Sequence, residues 1–327
     1  MPSPRRSRVS LRVAMVVTAA TALTAVMGCG PWSSANPRHH AAASPGLPTA
    51  GVSPAGAGDP NEQPLPGAEP SRPTPSDLPL GPEEVRLRSG RVYVLPDQAR
   101  PRPGASRPLL IVLHSFGGTW QRLRTVGRFE ERAARLGFVV AYGIGADRSW
   151  NAGSCCGWSQ SRDADDVGYL VSVAADVRRR IPDVDPRRVY LTGFSNGAMM
   201  TLRALCERPH VFAAGVGVAG QLVGRCAGGA PIHYLEIHGT VDAVVPYAGG
   251  RVGWLGVTFS PVSGLPARVR ASAPGSVVEI RTHPCGHVWP TGGQCGLDAA
   301  EVGWEFLSRL ALPASTPHHA AGHEATR

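Results

Sequence analysis

The chain has 327 residues and a formal net charge of +9, and all 33 of its lysine-plus-arginine residues are arginine. Without lysine the chain cannot form a Schiff base, use a P-loop lysine or contain a Ser-Lys dyad. Beyond the N-terminus the arginines are scattered and show no aromatic interleaving. We therefore expect no nucleic-acid partner.

The first part of the chain has the features of an export signal. Four arginines precede an apolar run over residues 13–27, and no acidic residue occurs before Asp59. This pattern predicts a signal peptide over residues 1–28, because the run is shorter than a membrane-spanning helix requires. A small residue before Cys29 resembles a bacterial lipobox, in which the cysteine is lipidated and becomes the new N-terminus. Ordinary signal-peptidase cleavage and twin-arginine export through the Arg5-Arg6 pair stay open.

A linker and a tail flank one folded region. Residues 29–82 contain 13 of the 31 prolines, and such a composition buries too little apolar surface to offset the entropy of ordering. We expect a disordered linker there, a disordered tail over 313–327, and a single folded domain over 83–312. The protein is expected to be extracellular, and to be held at the outer face of the cell membrane only if Cys29 carries lipid.

Predicted strands and helices alternate along the folded region. In chain order we predict a strand or strand pair over 85–95, a strand over 108–114, a helix over 121–136, a strand over 138–142, a helix over 165–181, a strand over 189–192, a helix over 196–206, strands over 213–218, 234–237 and 277–280, and a helix over 298–310. The strands are short apolar runs of the kind found in buried parallel sheets. The alternation predicts a doubly wound, mostly parallel α/β sheet with helices on both faces and functional groups at the carboxyl ends of the strands.

The strongest motif lies between the strand predicted over 189–192 and the helix that follows it. Residues 193–197 read GFSNG, the G-x-S-x-G pattern of a nucleophile elbow. A sharp turn there raises one serine hydroxyl above the sheet, and the glycines leave room for neighbouring elements. The helix N-terminus presents backbone N–H groups to developing negative charge. Ser195 is therefore the predicted nucleophile, and a buried serine in an ordinary tight turn is the alternative.

The catalytic partners follow from their order in the chain, because in folds with this elbow the acid and then the histidine come after the serine. Asp242 lies in a loop just past a strand and is predicted to orient the histidine and stabilise the imidazolium. The other acidic residues before the histidine lie within a helix or within strands: Glu207, Glu236 and Glu279. His287, in a loop after the last strand, is the predicted base, with His283 as its rival.

An oxyanion hole needs a second N–H group from the loop after an earlier strand. The loop over residues 114–118 follows the apolar strand and suits that role. We assign the donors to the backbone N–H groups of Phe116 and Asn196, with Ser115 as the alternative to Phe116. His114 precedes the nucleophile in the chain, so we expect it to brace this loop.

Taken in order, these motifs resemble a known group of secreted esterases. The pieces are LHSFGG at 113–118, WNAGSCCGW at 150–158, DADDVGYL at 163–170, GFSNGAMM at 193–200, HGTVDAVVPY at 238–247 and GHVWP at 286–290. The chain resembles the group of polyhydroxybutyrate (PHB) depolymerases and feruloyl or acetylxylan esterases over most of residues 86–310. The resemblance implies an α/β-hydrolase fold and ester hydrolysis without a metal or other cofactor. It also implies that Ser195 is the nucleophile, Asp242 the acid and His287 the base.

Two features depart from that family's pattern. Ser115 stands where the family usually has glycine after the oxyanion-loop histidine, which adds a hydroxyl near the oxyanion site. The segment over 248–276 is short, so we expect a reduced substrate-facing cap.

The cysteines agree with export, because six remain after Cys29 and an even number fits disulfides in an exported domain. We prefer the pairs Cys206–Cys226 and Cys285–Cys295, with Cys155 and Cys156 joined to each other or cross-linked elsewhere. A bond between Cys285 and Cys295 would brace the His287 loop. A zinc site is disfavoured because no pair of CxxC motifs supports it.

The sequence therefore predicts an exported serine esterase acting on polyhydroxyalkanoate, on feruloyl or acetyl esters of polysaccharides, or on short-chain esters. A surface lipoprotein with an impaired hydrolase site that acts as a binding module is one alternative. A peptidase or thioesterase on the same fold is another alternative, because such an enzyme differs from an esterase only in the leaving group of the acyl substrate.

Overall fold

An eight-stranded sheet forms the centre of the computed structural model, which describes residues 81, 83–98 and 104–314. The predicted signal peptide, Cys29, most of the predicted linker and the tail from residue 315 lie outside the described residues. The strands are β1 (Glu84–Arg86), β2 (Val92–Val94), β3 (Arg107–Leu113), β4 (Val139–Gly143), β5 (Val184–Phe194), β6 (Ala214–Val218), β7 (His233–Gly239), β8 (Gly250–Val252), β9 (Val257–Phe259) and β10 (Val277–His283). The helices are α1 (Trp120–Gly127), α2 (Phe129–Leu136), α3 (Gly157–Ser161), α4 (Asp166–Arg180), α5 (Asn196–Glu207), α6 (Leu265–Ser272) and α7 (Ala299–Leu307).

The strand order in the large sheet is β1-β2-β4-β3-β5-β6-β7-β10. The pairings of β1 with β2 and of β2 with β4 are antiparallel, and all others are parallel. Strands β3, β4 and β6 are buried along their whole length, as continuous apolar runs require in a sheet covered on both faces. The predicted doubly wound, mostly parallel α/β arrangement is confirmed.

Two hydrophobic clusters lie on opposite faces of the sheet. Alternate residues of β3 enter different clusters: Leu109 and Ile111 join one, and Leu110 and Val112 join the other. Helices α4, α5 and α6 supply the first cluster, and α1, α2 and α7 supply the second. The helices therefore cover both faces and leave the carboxyl ends of the parallel strands free to carry a site.

The single helix predicted over 121–136 is wrong, because the structure contains two helices that meet at Arg128. That residue has φ 46° and ψ 45°, and its N–H group closes α1 on the carbonyl of Arg124. Phe129, which begins α2, is buried against Trp289 at a ring distance of 5.7 Å. The helical spacing of apolar residues cannot reveal this break, because the break depends on where the Phe129 ring is buried in the folded protein.

The segment over 248–276 contains elements that the sequence patterns did not predict. It holds the antiparallel hairpin of β8 and β9, followed by α6. Strand β5 also begins at Val184, earlier than predicted, and the strand pair predicted over 85–95 is β1 and β2. None of the helices within residues 81, 83–98 and 104–314 is long and apolar enough to cross a bilayer.

Trp304 packs α7 against the second cluster, and we predict that truncating its side chain destabilises the fold. Its ring stacks on Phe138 at 4.2 Å and meets the edge of Tyr190 at 6.3 Å. Trp304→Ala should lower the free energy of unfolding by about 2–4 kcal/mol in urea titrations, because both the buried area and the ring contacts are lost. Glu305→Ala, at the exposed neighbouring position, is the matched control and should change it by less than about 0.5 kcal/mol. Equal stability of the two variants would contradict this account of α7.

Candidate active site

Ser195 occupies a strained turn between the end of β5 and the start of α5. Its φ is 56° and its ψ is −116°, a conformation that residues with a side chain rarely adopt. Its N–H group donates to the carbonyl of Val218 at 2.8 Å, and its carbonyl accepts from Met199 N–H at 3.0 Å. Hydrogen bonds on both sides of the residue therefore hold the strained backbone in place.

Two glycines allow this turn because backbone packs directly on backbone. A β-carbon on Gly193 would lie 2.4 Å from the backbone of Gly197. A β-carbon on Gly197 would lie 2.3 Å from the carbonyl oxygen of Leu113 and 2.5 Å from that of His114. The start of α5 thus rests against the end of β3, and neither glycine position leaves space for a side chain.

Asp242 and His287 meet beside this turn. The Nδ1 atom of His287 is 2.7 Å from Oδ2 of Asp242, whose other oxygen accepts from the N–H groups of Val244 and Val245, each at 2.8 Å. The side chain of Asp242 is 0% exposed and that of His287 is 16% exposed. The acid is buried behind the histidine, whose ring reaches solvent.

The charge of Asp242 is stabilised by its neighbours. Burial raises the pKa of this carboxyl, but the hydrogen bond and charge of His287, with the N–H groups of Val245 and Val244, outweigh it and the pKa is lowered. A carboxylate on Nδ1 selects the tautomer in which Nε2 accepts a proton.

Ser195 and His287 line one cavity of about 490 Å³ at the carboxyl ends of the parallel strands. The His287 ring also packs on Phe194, the residue before Ser195, at a ring distance of 5.0 Å. Most of the other lining side chains are apolar: Phe116, Leu123, Val126, Met199, Val244, Val245, Trp254, Leu255, Val288 and Trp289. Trp254 comes from the turn between β8 and β9, so the short 248–276 segment contributes to the wall.

The loop after β3 also lines the cavity through Ser115 and Phe116. His114 braces it, because Nδ1 contacts the carbonyl of Ser115 at 2.9 Å and Nε2 accepts from Gly145 N–H at 2.9 Å. Burial lowers the pKa of His114, which fits a neutral ring that both donates and accepts. Its placement agrees with the expected bracing role.

The Ser115 hydroxyl is directed toward Gly118. A β-carbon built on Gly118 would come within 2.4 Å of it, and Gly118 N–H donates to the carbonyl of Ser115 at 3.0 Å. The hydroxyl that Ser115 has in place of the family's glycine therefore points into the turn formed by residues 115–118.

Asn196 and Trp150 form a clamp that sequence reasoning missed. Asn196 accepts from Trp150 N–H through Oδ1 at 2.8 Å and donates through Nδ2 to the carbonyl of Trp150 at 3.0 Å. Trp150 in turn donates its indole N–H to the carbonyl of His114 at 2.8 Å. The clamp therefore ties the turn that holds Ser195 to the loop after β3. An available signal was Trp150 itself, which opens the WNAGSCCGW motif.

The rival residues are engaged elsewhere in the described structure. His283 is buried at the end of β10, and its Nδ1 accepts from Cys285 N–H at 3.3 Å. The other acidic candidates have their own partners: Glu207 with Arg203 at 2.7 Å, Glu236 with His238 at 2.8 Å and Glu279 with Arg281 at 3.1 Å. The structure therefore brings Asp242, and not these residues, to His287.

Three disulfides join the six cysteines of the described region: Cys155–Cys156, Cys206–Cys226 and Cys285–Cys295. The bond between Cys285 and Cys295 closes the loop that carries His287. Together with His283 these two cysteines form a cluster of donor atoms within 4.8 Å. Both sulfur atoms are consumed in the disulfide, so the cluster lacks the thiolates that a zinc site uses.

Comparison with known proteins finds sequence similarity to esterases. Residues 91–248 match the family described as Esterase PHB depolymerase. The chain is 29% identical over 234 residues to feruloyl esterase B of Piromyces equi, a match that covers 63% of this chain and 42% of that protein. It is 29% identical over 245 residues to feruloyl esterase C of Emericella nidulans, covering 68% of this chain and 86% of that one.

Two further similarities are to an acetylxylan esterase and to the solved structure of an esterase. An acetylxylan esterase of Coprinopsis cinerea is 33% identical over 140 residues, which cover 42% of this chain and 36% of that protein. The chain thus spans less than two thirds of the length of the Piromyces and Coprinopsis relatives. The solved apo structure of Thermogutta terrifontis esterase 2 is 15% identical, with a TM-score of 0.47 over 67% of this chain and 89% of that chain.

The backbone contact at Gly197 leads to a stability prediction. Gly197→Ala should lower the free energy of unfolding by about 2–4 kcal/mol, because the added carbon overlaps two carbonyl oxygens that cannot move without distorting β3. Gly253→Ala is the matched control, since a β-carbon there meets nothing within 4 Å. Thermal and urea unfolding of both variants measures the difference. An equally small effect at the two positions would contradict the proposed contact.

Proposed function

We propose that this chain is an esterase of the PHB depolymerase and feruloyl esterase kind and that it hydrolyses carboxylic esters, which the family match over residues 91–248 and the similarity to two feruloyl esterases support. In this proposal Ser195 is the nucleophile, His287 the general base and Asp242 the orienting acid. The observation that carries the proposal is the 2.7 Å contact between His287 and Asp242 beside a strained serine turn that lines the same cavity.

The geometry supports a two-step acyl transfer. Nε2 of His287 takes the proton of the Ser195 hydroxyl as the serine oxygen attacks the ester carbonyl, and the imidazolium then protonates the leaving alcohol. A water molecule gives its proton to the same nitrogen and attacks the acyl-enzyme, which releases the acid and restores Ser195. Asp242 holds the ring and balances its transient positive charge.

The backbone N–H groups of Asn196 and Phe116 are the proposed oxyanion donors, with Ser115 as the alternative to Phe116. The clamp between Asn196 and Trp150 supports this assignment, because it fixes the loop after β3 relative to Ser195. Donors positioned before the reaction stabilise developing charge without reorganisation. Acyl transfer through these groups requires neither a metal nor another cofactor.

The proposed substrates are esters with apolar or aromatic acyl groups, in polymeric or small form. The mostly apolar lining of the cavity supports this class. Polyhydroxyalkanoates, feruloyl or acetyl esters of polysaccharides and short-chain esters all fall within it.

We also propose that the catalytic domain over 83–312 follows a signal peptide over 1–28 and a linker over 29–82, and precedes a tail over 313–327. The three disulfides of the described region support export, because such bonds persist in oxidising compartments. Lipidation of Cys29 would hold the protein at the outer face of the membrane, and without it the protein would be released.

Replacement of the triad residues should abolish turnover. Ser195→Ala should lower kcat/KM for p-nitrophenyl butyrate by at least about 10³-fold, and Asp242→Asn by about 10⁴-fold, because the first lacks the nucleophile and the second favours the wrong tautomer of His287. Ser89→Ala, an exposed serine on a turn, is the matched control and should keep full activity. If Ser195→Ala is as active as the wild-type protein, the assignment of Ser195 as nucleophile is refuted.

A fluorophosphonate probe and a substrate panel separate the alternatives. The probe should label the wild-type protein and not Ser195→Ala. If the protein is an impaired binding module, the probe should label neither of them. Feruloyl, acetylxylan, hydroxybutyrate and short-chain aryl esters should be hydrolysed faster than matched amides and thioesters. The reverse preference would favour the peptidase or thioesterase alternative.

Cys29→Ser tests the anchor. In a bacterial host the wild-type chain should sediment with membranes, and Cys29→Ser should not, because a serine at this position cannot receive the lipid. Immunoblots of the membrane fraction and of the medium measure the difference, with Ser33→Ala as the control. Wild-type protein found in the medium would show ordinary cleavage instead.

A further inference from the structure

Directly behind Asp242 lies a buried polar cluster that the proposed mechanism does not use. Strand β7 carries Tyr234, Glu236 and His238 at every second position, so their side chains share one face of the sheet, and all three are 0% exposed. The Tyr234 hydroxyl donates to Oε2 of Glu236 at 2.6 Å, and Gly220 N–H donates to Oε1 at 2.7 Å. Both oxygens of Glu236 therefore have donors, as a buried carboxylate requires.

His238 lies between two carboxylates. Its Nδ1 atom is 2.8 Å from Oε1 of Glu236, and its Nε2 atom is 2.8 Å from the carbonyl oxygen of Val245 and 3.5 Å from Oδ2 of Asp242. Carboxylate and carbonyl oxygens only accept hydrogen bonds, so with Glu236 ionised both ring nitrogens act as donors, as they do in an imidazolium. Burial lowers the pKa of His238, but Glu236, Val245 and Asp242 outweigh it and the pKa is raised.

The position of this cation is specific. The Asp242 oxygen that faces His238 is the same Oδ2 atom that accepts from His287. A positive ring on the buried side therefore stabilises the charge of Asp242. The negative charge of Glu236 balances that ring, so the pair carries no net charge.

We propose that Glu236 and His238 form a buried positioning pair that keeps Asp242 ionised and directed at His287, and that sets the pH range over which His287 acts as the base. The inference rests on the proposed function. Neither residue lines the cavity, so both act through Asp242 and not on the substrate.

Other titratable groups also face His238, and they do not replace this pair. They are Tyr234 on β7, Tyr247 in the loop after it at a ring distance of 6.0 Å, and His283 at the end of β10. Burial and the Glu236 charge raise the pKa of Tyr234, so its hydroxyl stays protonated. Burial lowers the pKa of His283, and the positive charge of His238 lowers it further. Glu236 and Asp242 are thus the anions that face His238 within the described region.

Nitrogen NMR of the full chain labelled with ¹⁵N-histidine tests the protonation state directly. His238, assigned from the signal that disappears in His238→Gln, should have both ring nitrogens protonated at neutral pH. In Glu236→Gln the same ring should lose its proton at lower pH than in the wild-type protein, because the balancing anion is gone while an amide keeps the side-chain shape. A neutral His238 ring in the wild-type protein at neutral pH would overturn the proposal.

The pH profile of kcat/KM tests the consequence for the base. His238→Gln removes a positive charge and leaves Glu236 and Asp242, and the added negative field favours the protonated form of His287. The acidic limb should therefore move to higher pH by roughly half a unit or more. The double variant Glu236→Gln/His238→Gln removes both charges and should return the limb toward the wild-type position.

Two controls separate this role from a structural one. His210→Gln, at an exposed histidine, should leave the profile unchanged. If the cluster variants lower kcat without moving the limb, the pair is only structural and the proposal fails. If His238→Gln does not fold, the His238 signal is assigned as the histidine signal that changes most in Glu236→Gln, and the wild-type spectrum still decides. Wild-type protein that hydrolyses no ester would refute the proposed function, and the spectra would then still report the His238 charge.

Discussion

The candidate site depends on a backbone-to-backbone contact between the start of α5 and the end of β3. At Gly197 a single added carbon would lie within 2.5 Å of two carbonyl oxygens of the β3 terminus. This contact seats α5 on the sheet edge and leaves Ser195 in its strained turn. It also brings Asn196 against Trp150, whose indole binds the loop after β3. Ser195, the proposed nucleophile, and the proposed oxyanion donors therefore belong to one connected unit.

Buried charge is the second constraint at this edge of the sheet. An ionised Asp242 behind His287 is costly unless donors and charges compensate it. The structure provides two backbone N–H groups on one oxygen and two histidine rings on the other. Glu236 balances the positive charge of the inner ring, His238. Negative and positive charges therefore alternate from Glu236 on β7, through His238, to Asp242 behind the cavity.

Sequence patterns predicted most of the strands, the elbow and the loops that carry the candidate residues. These are local features, since an apolar run or a G-x-S-x-G turn is visible in a short window. The single helix over 121–136 was wrong because the break at Arg128 depends on the buried position of Phe129. The hairpin of β8 and β9, which brings Trp254 to the cavity, was missed because its strands are only three residues long.

The sequence by itself determined the α/β alternation, the family resemblance and the order of Ser195, Asp242 and His287 along the chain. The structure alone decided which groups meet. It paired Asp242 with His287 rather than His283, joined Asn196 to Trp150, and placed His238 between two carboxylates. Period-two spacing of Tyr234, Glu236 and His238 was visible in the sequence, but the charge of His238 depends on hydrogen-bond partners whose distances only the folded chain defines. Burial then makes those partners decisive, because water is not there to replace them.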